Sequence, residues 1–325
     1  MAKEKRTLDV VGHRKVFYCI SCGLIALFII LTFVLGLNVD IMFKGGTIMT
    51  YSYSGDISTD DVQSVVTDVL GQKSTVTKGE NTATKQTTVK IQLSSTGGIN
   101  EVKRNELQEA LESKFTDNEL ALFESSDVNA SNGLDFFLKC MVAVIFAAIV
   151  TIIYIGFRFR KIGGISAGIF SVVALLHDLC MVYGCFVICR FDINANFMAV
   201  LLTILGYSIN ATIIIYDRIR ENQTLKGSKL ELEELVNLSV TQTLGRSIHT
   251  TVTTVMAMAV VCIVCTIYGV SSIISFAFPL IIGMLAGVYS SNCIAPTLWV
   301  LWRRHAEKNP RRKSKTSSTA KSGRI

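Results

Sequence analysis

The chain has 325 residues, of which 50% are hydrophobic, and a formal net charge of +7 at pH 7. With a mean hydropathy of +0.45, this composition excludes an ordinary soluble domain, and the charged stretches between apolar runs exclude a chain that lies wholly within a membrane. The charge is unevenly divided, because residues 38–135 carry a net −7 and the remainder carries +14. The composition predicts several membrane spans around one acidic soluble insert.

Six apolar segments are each close to, or longer than, the ~20 residues that a membrane-spanning helix needs. They are residues 16–37, 138–157, 165–189, 193–216, 250–270 and 273–302. The first contains no charged residue, is longer than a signal-peptide core of about 7 to 15 residues, and is followed by no small-residue cleavage site. We interpret it as a retained transmembrane helix.

The distribution of Lys and Arg predicts the orientation of these spans. Basic residues are concentrated in four segments on one side of the predicted spans: 1–15, 158–161, 217–248 and 303–325. The short connections on the other side offer only Arg190. By the positive-inside rule, both termini are predicted to be cytoplasmic, residues 38–135 are predicted to be extracytoplasmic, and 136–302 form a five-helix domain with a cytoplasmic loop at 217–248.

Residues 38–135 alternate between strand and helix patterns. The predicted elements are a strand at 48–53, a helix after the capping box of Ser58 and Asp61, strands at 75–77 and 87–93, a helix at 100–115 and a short strand at 121–124. This β-α-β-β-α-β order predicts a small α+β domain of the ferredoxin-like type. The fold class is therefore a six-helix integral membrane protein with an α+β domain between helices 1 and 2.

Two adjacent glycines, Gly45 and Gly46, precede the first predicted strand. Glycine adopts backbone angles that a side chain would forbid, so the pair predicts a tight junction between the first span and the sheet. A phosphate-binding loop is the disfavoured alternative, since neither a G-x-G-x-x-G spacing nor a GK[ST] sequence is present.

Few ionisable side chains lie inside the predicted spans, and Asp178 is the only carboxylate well within one. Such a residue costs about 2.5 to 3.5 kcal/mol at the centre of a helix and marks a pathway, a relay or a buried pair. Asp178 is therefore either a proton-carrying or gating group or a hydrogen-bonded structural tie, and the sequence leaves both open. His177 beside it points about 100° away and is expected to have different partners.

A second polar stretch lies in the fourth span, where Gly206, Ser208 and Asn210 are expected to face protein because small and polar residues mediate helix packing in membranes. For Asn210, interhelical hydrogen bonding is the favoured interpretation. The pairs Gly164/Gly168 and Gly283/Gly287 predict close helix contacts for the same reason. Segment 223–248 is predicted to be a surface helix lying at the membrane.

No Ser/His/Asp set, metal-ligand cluster or nucleotide loop is present, so neither an enzyme nor a cofactor is predicted. All nine cysteines lie in apolar spans. The pairs Cys19/Cys22 and Cys262/Cys265 have a redox or metal spacing. They have no His or acidic neighbours, so buried packing is favoured over zinc or a disulfide. The basic tail is expected to bind the lipid bilayer rather than nucleic acid.

Three sequence blocks resemble the SecF branch of the SecD/SecF family of protein-export membrane proteins. The first is Gly206-Tyr207-Ser208-Ile209-Asn210-Ala211-Thr212, continuing through an apolar run to Asp217-Arg218-Ile219-Arg220-Glu221-Asn222. The others are Gly45-Gly46 after the first span and the last-span block that contains Tyr289 and Ser290. The family's usual Asp within the first block is Ala211 here, and alanine cannot carry a proton.

The resemblance implies an auxiliary subunit of the Sec protein translocase, in the resistance-nodulation-division superfamily, in the bacterial cytoplasmic membrane. It implies coupling of the proton-motive force to late steps of preprotein export, with a separate SecD chain, the SecYEG channel and the translocating preprotein as partners. It also suggests that Arg246 partners intramembrane acids, unless Arg246 is only a cytoplasmic-end anchor. Two alternatives remain open: a passive scaffold for a proton-conducting SecD, which Ala211 favours, and a small-molecule or lipid exporter of the same superfamily.

Overall fold

The computed structural model describes residues 7–72, 74–80, 87–93, 99–128, 130–226, 229–268 and 271–308. The chain divides into two compact units. One is an α+β unit made of Leu37–Ala143 with Asp192–Met198, and the other is helical. The predicted N-terminal and C-terminal basic segments lie partly outside the described residues, at 1–6 and 309–325.

Ten α-helices occur in the described residues. They are α1 (Arg14–Leu35), α2 (Ile41–Lys44), α3 (Thr59–Leu70), α4 (Glu101–Lys114), α5 (Ala130–Arg158), α6 (Gly164–Cys189), α7 (Ala195–Lys226), α8 (Leu232–Ile267), α9 (Ser271–Tyr289) and α10 (Ala295–Lys308). A π-helical turn, Ser290–Ile294, joins α9 to α10. Six helical stretches in this part of the chain are long and apolar enough to cross a membrane, as predicted: Arg14–Leu35, Asp135–Arg158, Gly164–Cys189, Ala195–Lys226, Leu232–Ile267 and Ile273–Ala306.

The prediction of a surface helix within 223–248 is wrong. Helix α8 runs without a break from Leu232 to Ile267, so its first turns continue the axis of the spanning part. Its early apolar residues Leu235, Val236 and Val240 are buried in a core cluster with Tyr216 of α7. These residues are apolar because they pack against other helices, and a membrane surface is not needed to explain them.

Helix α6 is the most buried of the six spans, because 56% of its most apolar 18-residue stretch is buried inside the protein. Glycines allow this central position. A Cβ on Gly164 would lie 2.4 Å from the carbonyl oxygen of Gly156, and one on Gly168 would lie 3.1 Å from the Cα of Ile152. A Cβ on Gly283 would lie 2.6 Å from Ile204. The close contacts predicted for these glycines are therefore present on two faces of the bundle.

The α+β unit contains four antiparallel strands, β1 (Gly46–Tyr53), β2 (Ser74–Glu80), β3 (Thr87–Leu93) and β4 (Ala121–Val128), in the order β2-β3-β1-β4. Met49 of β1 pairs with Ile91 of β3, and on the other side Thr50 pairs with Glu124 of β4. Alternate residues of β1 and β3 form a core with α3 and α4. The order confirms the ferredoxin-like prediction.

The N-terminus of α3 lies where the capping box predicted it, with Ser58 in an extended conformation at the N-cap. The predicted capping bond is absent, because the Ser58 side chain makes no hydrogen bond to the helix end. Asp60 and Asp61 lie in the first turn, where their negative charges interact favourably with the helix dipole and stabilise the helix. Charge therefore replaces the predicted hydroxyl cap.

Gly45 and Gly46 connect the single turn of α2 to β1, with φ angles of 77° and 155°. A Cβ on Gly46 would lie only 2.0 Å from the carbonyl oxygen of Leu93 on the paired strand. This oxygen belongs to backbone held in the ladder, so it cannot move without breaking strand pairing. The close approach explains why glycine is needed at the start of β1.

We expect Gly46→Ala to destabilise the α+β unit by about 1–3 kcal/mol, because overpacking against fixed backbone has this cost. The measurement is amide hydrogen exchange of β1 and β3 in the purified full chain, where protection should fall. Gly79→Ala in β2 is the matched control, since its Cβ would meet Thr88 Oγ1 at an ordinary 3.4 Å. Equal protection in both variants would contradict the expectation.

Candidate functional site: a buried intramembrane carboxyl

Asp178 lies in the middle of α6, and its side chain has no exposed surface. Two other parts of the chain meet this carboxyl: α7, and α9 with the π-helical turn that follows it. Ser208 comes from α7, and Ser290 opens the π-helical turn after α9. Gly287, one turn earlier on α9, allows that helix to come close, since a Cβ there would lie 3.2 Å from Ser208 and 3.6 Å from Asp178 Oδ2. The carboxyl therefore lies at the junction of three helices.

Each carboxyl oxygen of Asp178 has a hydrogen-bond partner. Ser208 Oγ donates to Oδ2 at 2.5 Å, and Ser290 Oγ donates to the same oxygen at 2.8 Å. His177 Nδ1 lies 3.1 Å from Oδ1. His177 and Asp178 thus bond to each other, which was not expected. Their other contacts differ as expected, since Asp178 meets Ser208 and Ser290 and His177 meets the Tyr289 ring.

The cluster continues one helical turn along α7. Thr212 Oγ1 lies 2.8 Å from Ser291 Oγ, and Ser291 Oγ donates to the Ser208 carbonyl oxygen at 3.3 Å. The π-helical turn directs Ser290 to Asp178 on α6 and Ser291 to α7. Single π-helical turns are rare and occur frequently at functional sites. This turn is what brings two consecutive hydroxyls to the carboxyl cluster.

His177 is buried, and its Nε2 atom has no hydrogen-bond partner among the described residues. The imidazole lies beside the ring of Tyr289, with 5.7 Å between ring centroids. The Tyr289 hydroxyl donates to the carbonyl oxygen of Phe17 at 2.8 Å and lies 3.2 Å from Ser21 Oγ. The signature residue Tyr289 therefore links the histidine to α1.

This geometry accommodates two protonation states of the carboxyl. An ionised Asp178 can accept from both serines and from a protonated His177 Nδ1. A neutral Asp178 can donate from Oδ1 to His177 Nδ1 while Oδ2 still accepts from Ser208 and Ser290. A buried carboxyl is costly in an apolar setting when ionised, and hydrogen bonds to its charged form reduce that cost. The hydrogen-bond partners of the carboxyl are therefore compatible with both its ionised and its neutral form.

The other polar residues predicted inside the spans are not in this cluster. Of the three residues of α7 expected to face protein, only Ser208 does so within this chain, since Gly206 and Asn210 are exposed. The side-chain amide of Asn210 makes no hydrogen bond to any of the described residues. Arg246 on α8 is also exposed and makes no ion pair in that part of the chain. Ala211, at the family's usual Asp position, is partly buried.

The charged end of the α7 signature block connects α7 to both α5 and α8. Asp217 forms ion pairs with Arg158 at 3.2 Å and with Arg220 at 2.7 Å. Arg218 donates to Gln242 Oε1 at 2.6 Å. The pairs Tyr207–Thr251 and Asn222–Ser239 show that α7 and α8 run antiparallel. Asp217 and Arg218 therefore tie neighbouring helices together at one end of the bundle.

The sequence did not indicate that the N-terminal segment docks on α8. The backbone N–H groups of Val10 and Val11 both donate to Asn237 Oδ1 at 3.0 Å, and both valines are buried. The Gly12 backbone N–H and the Asn237 amide, both donating to Asp9 Oδ1, hold the pKa of that carboxyl below its usual range. A lone Val-Val pair before a span gave only a weak signal of this contact.

The cysteine prediction needs one correction. Cys185 and Cys265 are buried, but Cys19 and Cys22 are exposed on α1. Their interpretation as buried packing residues is therefore wrong within this chain. A spanning helix can present apolar side chains to lipid, so apolar composition does not require burial in protein. Among the described residues, no group of three or more His, Cys, Asp or Glu has the arrangement of a metal site.

The family model described as "Protein export membrane protein SecD/SecF, C-terminal" matches residues 107–305 of this chain. The chain belongs to the SecD/SecF family. The matched region contains Asp178, Ser208 and Ser290, so the carboxyl cluster lies within the SecD/SecF family region.

Individual SecD/SecF relatives match over most of the chain. Protein translocase subunit SecF of Thermobaculum terrenum is 32% identical over 306 residues, which cover 91% of this chain and 94% of that protein. Protein translocase subunit SecDF of Bacillus subtilis is 31% identical over 298 residues, covering 91% of this chain and 38% of SecDF. The crystal structure of SecDF from Thermus thermophilus is 27% identical with a TM-score of 0.73, covering 94% of this chain and 40% of that one. This chain therefore spans about two fifths of the length of that SecDF.

Proposed function

We propose that this chain is a non-enzymatic auxiliary subunit of the Sec protein translocase, and that it couples the proton-motive force to late steps of preprotein export. Its relatives are named as translocase subunits SecF and SecDF, which supports the translocase role. The observation that carries the coupling is Asp178, a fully buried carboxyl that holds three helices together through groups able to accept either protonation state.

In this proposal the chain lies in the bacterial cytoplasmic membrane with both termini cytoplasmic and the α+β domain outside. The positive charges of Arg158, Arg160 and Lys161 between α5 and α6 support this orientation. The α+β domain engages the emerging preprotein, and the SecYEG channel is the site of export. A change in the carboxyl cluster biases a two-state movement of the domain.

The energy available is adequate for such a bias. One elementary charge that moves through 100 mV releases about 2.3 kcal/mol. Two states separated by that energy differ in population by about fifty-fold, since 1.4 kcal/mol is a factor of ten. Protonation of Asp178 neutralises the carboxylate, so the hydrogen bonds from Ser208 and Ser290 lose their charge assistance and weaken. The three helices stay packed but are held less tightly, which favours a shift between two arrangements.

We further propose that a separate SecD chain covers the exposed polar face of α7 and α8. The longer Bacillus subtilis relative is named SecDF, which supports association of this part with a SecD part. Asn210 has an exposed amide near the middle of a spanning helix without a partner in the described part of the chain. An unpaired amide in hydrocarbon is unfavourable, so a partner helix is expected there.

The positions along the two helices support one continuous face. Tyr207 Oη lies 2.7 Å from Thr251 Oγ1, so these residues face each other. Successive helix residues point 100° apart, which puts Gly206 and Asn210 on one side of that contact line. On the antiparallel α8, the same rotation puts Arg246 on that side as well. The exposed polar residues thus share a surface, which we name the α7–α8 polar face.

A passive scaffold is the second candidate function, and Ala211 is the observation that favours it. If the proton path of the assembled translocase depends on a carboxyl at this position of the fourth span, this chain does not supply it. SecD would then carry the protons, and Asp178 would be a structural tie. The two functions make opposite predictions for gradient-stimulated export by an Asp178→Asn variant.

The test of the proposed function is preprotein export into inverted membrane vesicles that contain SecYEG and SecD, with or without this chain. We expect an imposed proton gradient to stimulate export severalfold only when the chain is present, because the coupling requires it. Dissipation of the gradient with an uncoupler should remove the stimulation and leave basal export. Equal stimulation in vesicles without the chain would contradict the proposal.

A further inference from the structure

A large apolar groove lies between α5, α6 and α10 on the outside of the helical unit. Its volume is about 830 Å³, and its walls are almost wholly apolar. The residues that shape it are Ile153, Gly156, Phe157, Ile169, Phe170 and Trp302. Ile153, Phe157 and Ile169 are exposed in the chain. A groove of this composition at the surface of a spanning bundle is suited to a hydrocarbon chain.

The groove has a structural origin in the glycine contact described above. Because Gly156 and Gly164 have no side chains, α5 and α6 touch at their backbones, and no side chain fills the space in front of that contact. Trp302 of α10 forms the opposite wall and lies beside Phe170, with 6.2 Å between ring centroids. The glycines that let α5 and α6 pack closely therefore also leave an unfilled groove beside their contact.

A basic pocket of about 540 Å³ adjoins the groove, and Phe157 and Arg160 line both. Its other basic residues are Arg158, Lys161 and Arg220. Arg158 and Arg220 both pair with Asp217, whose single negative charge offsets one of their two positive charges. Glu221 also lines the pocket, and it pairs with Arg218. Arg160 and Lys161 make no ion pair in the described part of the chain. These two cations are available for an external anion.

A contact with an aromatic ring holds the Arg160 side chain at the edge of the basic pocket. Its guanidinium lies over the Phe157 ring at 4.5 Å from the ring centroid, so the aromatic ring holds the side chain at the boundary of groove and pocket. Arginine binds phosphate through two parallel N–H groups. Tryptophans such as Trp302 are favoured at the level of lipid headgroups. The site thus combines an apolar groove with a phosphate-binding end.

We propose that this groove and pocket bind an anionic phospholipid, with an acyl chain along α5 and α6 and the phosphate on Arg160 and Lys161. The charge complementarity selects this occupant over a neutral lipid or an apolar helix of another protein. Basic pockets between transmembrane helices are known as sites for anionic lipid headgroups. The site is separate from Asp178 and from the α7–α8 polar face, so it does not depend on the export function proposed above.

The test uses the full chain, purified in mild detergent and delipidated, then titrated with phosphatidylglycerol or with phosphatidylcholine of the same acyl chains. Retained lipid is counted by native mass spectrometry. We expect one tightly held phosphatidylglycerol and much weaker phosphatidylcholine. The double variant Arg160→Gln/Lys161→Gln should weaken phosphatidylglycerol binding about 10- to 30-fold, because each basic residue contributes to anionic-lipid affinity.

The matched control is Lys226→Gln/Lys229→Gln, which removes two exposed charges, one at the last residue of α7 and one before α8, that line neither the groove nor the pocket. Its phosphatidylglycerol binding should stay within about two-fold of the unaltered chain. Gly156→Leu tests the apolar part, since its side chain would enter the groove with only Ile165 nearby at 3.6 Å. It should displace long-chain phosphatidylglycerol and leave a short-chain analogue bound.

Three outcomes would overturn the proposal. The first is equal affinity for phosphatidylglycerol and phosphatidylcholine in the unaltered chain. The second is an equal loss of binding in the groove variant and in the control variant, which would indicate a general charge effect. The third is a photo-crosslinker at Ile169 that captures a polypeptide, and no lipid, in native membranes, because a partner helix would then be the occupant.

Discussion

The variant Asp178→Asn is expected to abolish gradient-stimulated export while the subunit still assembles with SecD. Asparagine has nearly the same shape, and its amide oxygen can accept hydrogen bonds from Ser208 and Ser290 as the Oδ2 atom does. It cannot take up or release a proton. The helix packing around position 178 should therefore persist, and only the response to the gradient should disappear. The measurement is the ratio of export with and without the gradient in inverted vesicles, which should fall to about one.

A second substitution separates the proton role from packing. Asp178→Leu leaves the buried Ser208 hydroxyl without its acceptor, at about 1–3 kcal/mol, and leaves Ser290 only the longer bond to the Gly287 carbonyl oxygen. It should therefore also lower thermal stability and the yield of assembled subunit. Asp68→Asn on the exposed face of α3 removes a carboxyl elsewhere and should change neither quantity. If Asp178→Asn retains full stimulation, the carboxyl is a structural tie and the scaffold function is correct.

The length and periodicity of apolar segments were sufficient to predict the six spans and the ferredoxin-like order. These signals are local, since a spanning helix must satisfy its own backbone and a strand alternates its faces. The ends of α7 and α8 were not predictable in the same way. Most residues beyond Tyr216 are polar, but the helix continues, with Ile219 buried in the core and Asn222 donating to Gln242 of α8. Hydropathy predicts which part of a helix lies in the membrane, but it does not predict the residue at which the helix ends.

The composition of the carboxyl cluster was only partly predictable. Asp178 was conspicuous because a carboxylate is rare inside a span, and Ser208 was expected to face protein. Ser290 could be singled out as part of a motif, but its bond to Asp178 depends on a π-helical turn 112 residues along the chain. Nothing in the local pattern indicates an extra residue in one turn of a helix. Contacts of this kind arise from tertiary packing and need the folded structure.

The same limit explains the different environments of Ser208 and Asn210. Both are polar residues in one span, two positions apart, and the same packing rule was applied to both. In the structure Ser208 meets α6 and α9, whereas Asn210 is exposed. A single sequence shows that a polar side chain requires a partner in the membrane. It does not show whether the partner belongs to the same chain or to another one.

The variant Gly206→Leu is expected to prevent association with SecD and to leave the fold of this chain unchanged. A Cβ at Gly206 would meet no atom within 4 Å, so the chain itself has room for a side chain there. A partner helix that packs closely against the α7–α8 polar face does not have that room. Overpacking of about 1–3 kcal/mol corresponds to a loss of affinity of roughly 5- to 150-fold. The measurement is the amount of SecD recovered with the tagged chain from mild detergent.

The matched control for this prediction is Gly23→Leu on α1, another exposed glycine in a span whose Cβ would also meet no atom within 4 Å. It adds the same side chain to a different helix, so it should leave SecD recovery unchanged. Thermal stability of both variants should equal that of the unaltered chain, because neither substitution meets an atom of its own fold. Unchanged SecD recovery with Gly206→Leu would show that the α7–α8 polar face is covered by lipid or by another subunit. The exposed amide of Asn210 would then need a different partner, and a crosslinker at that position would identify it.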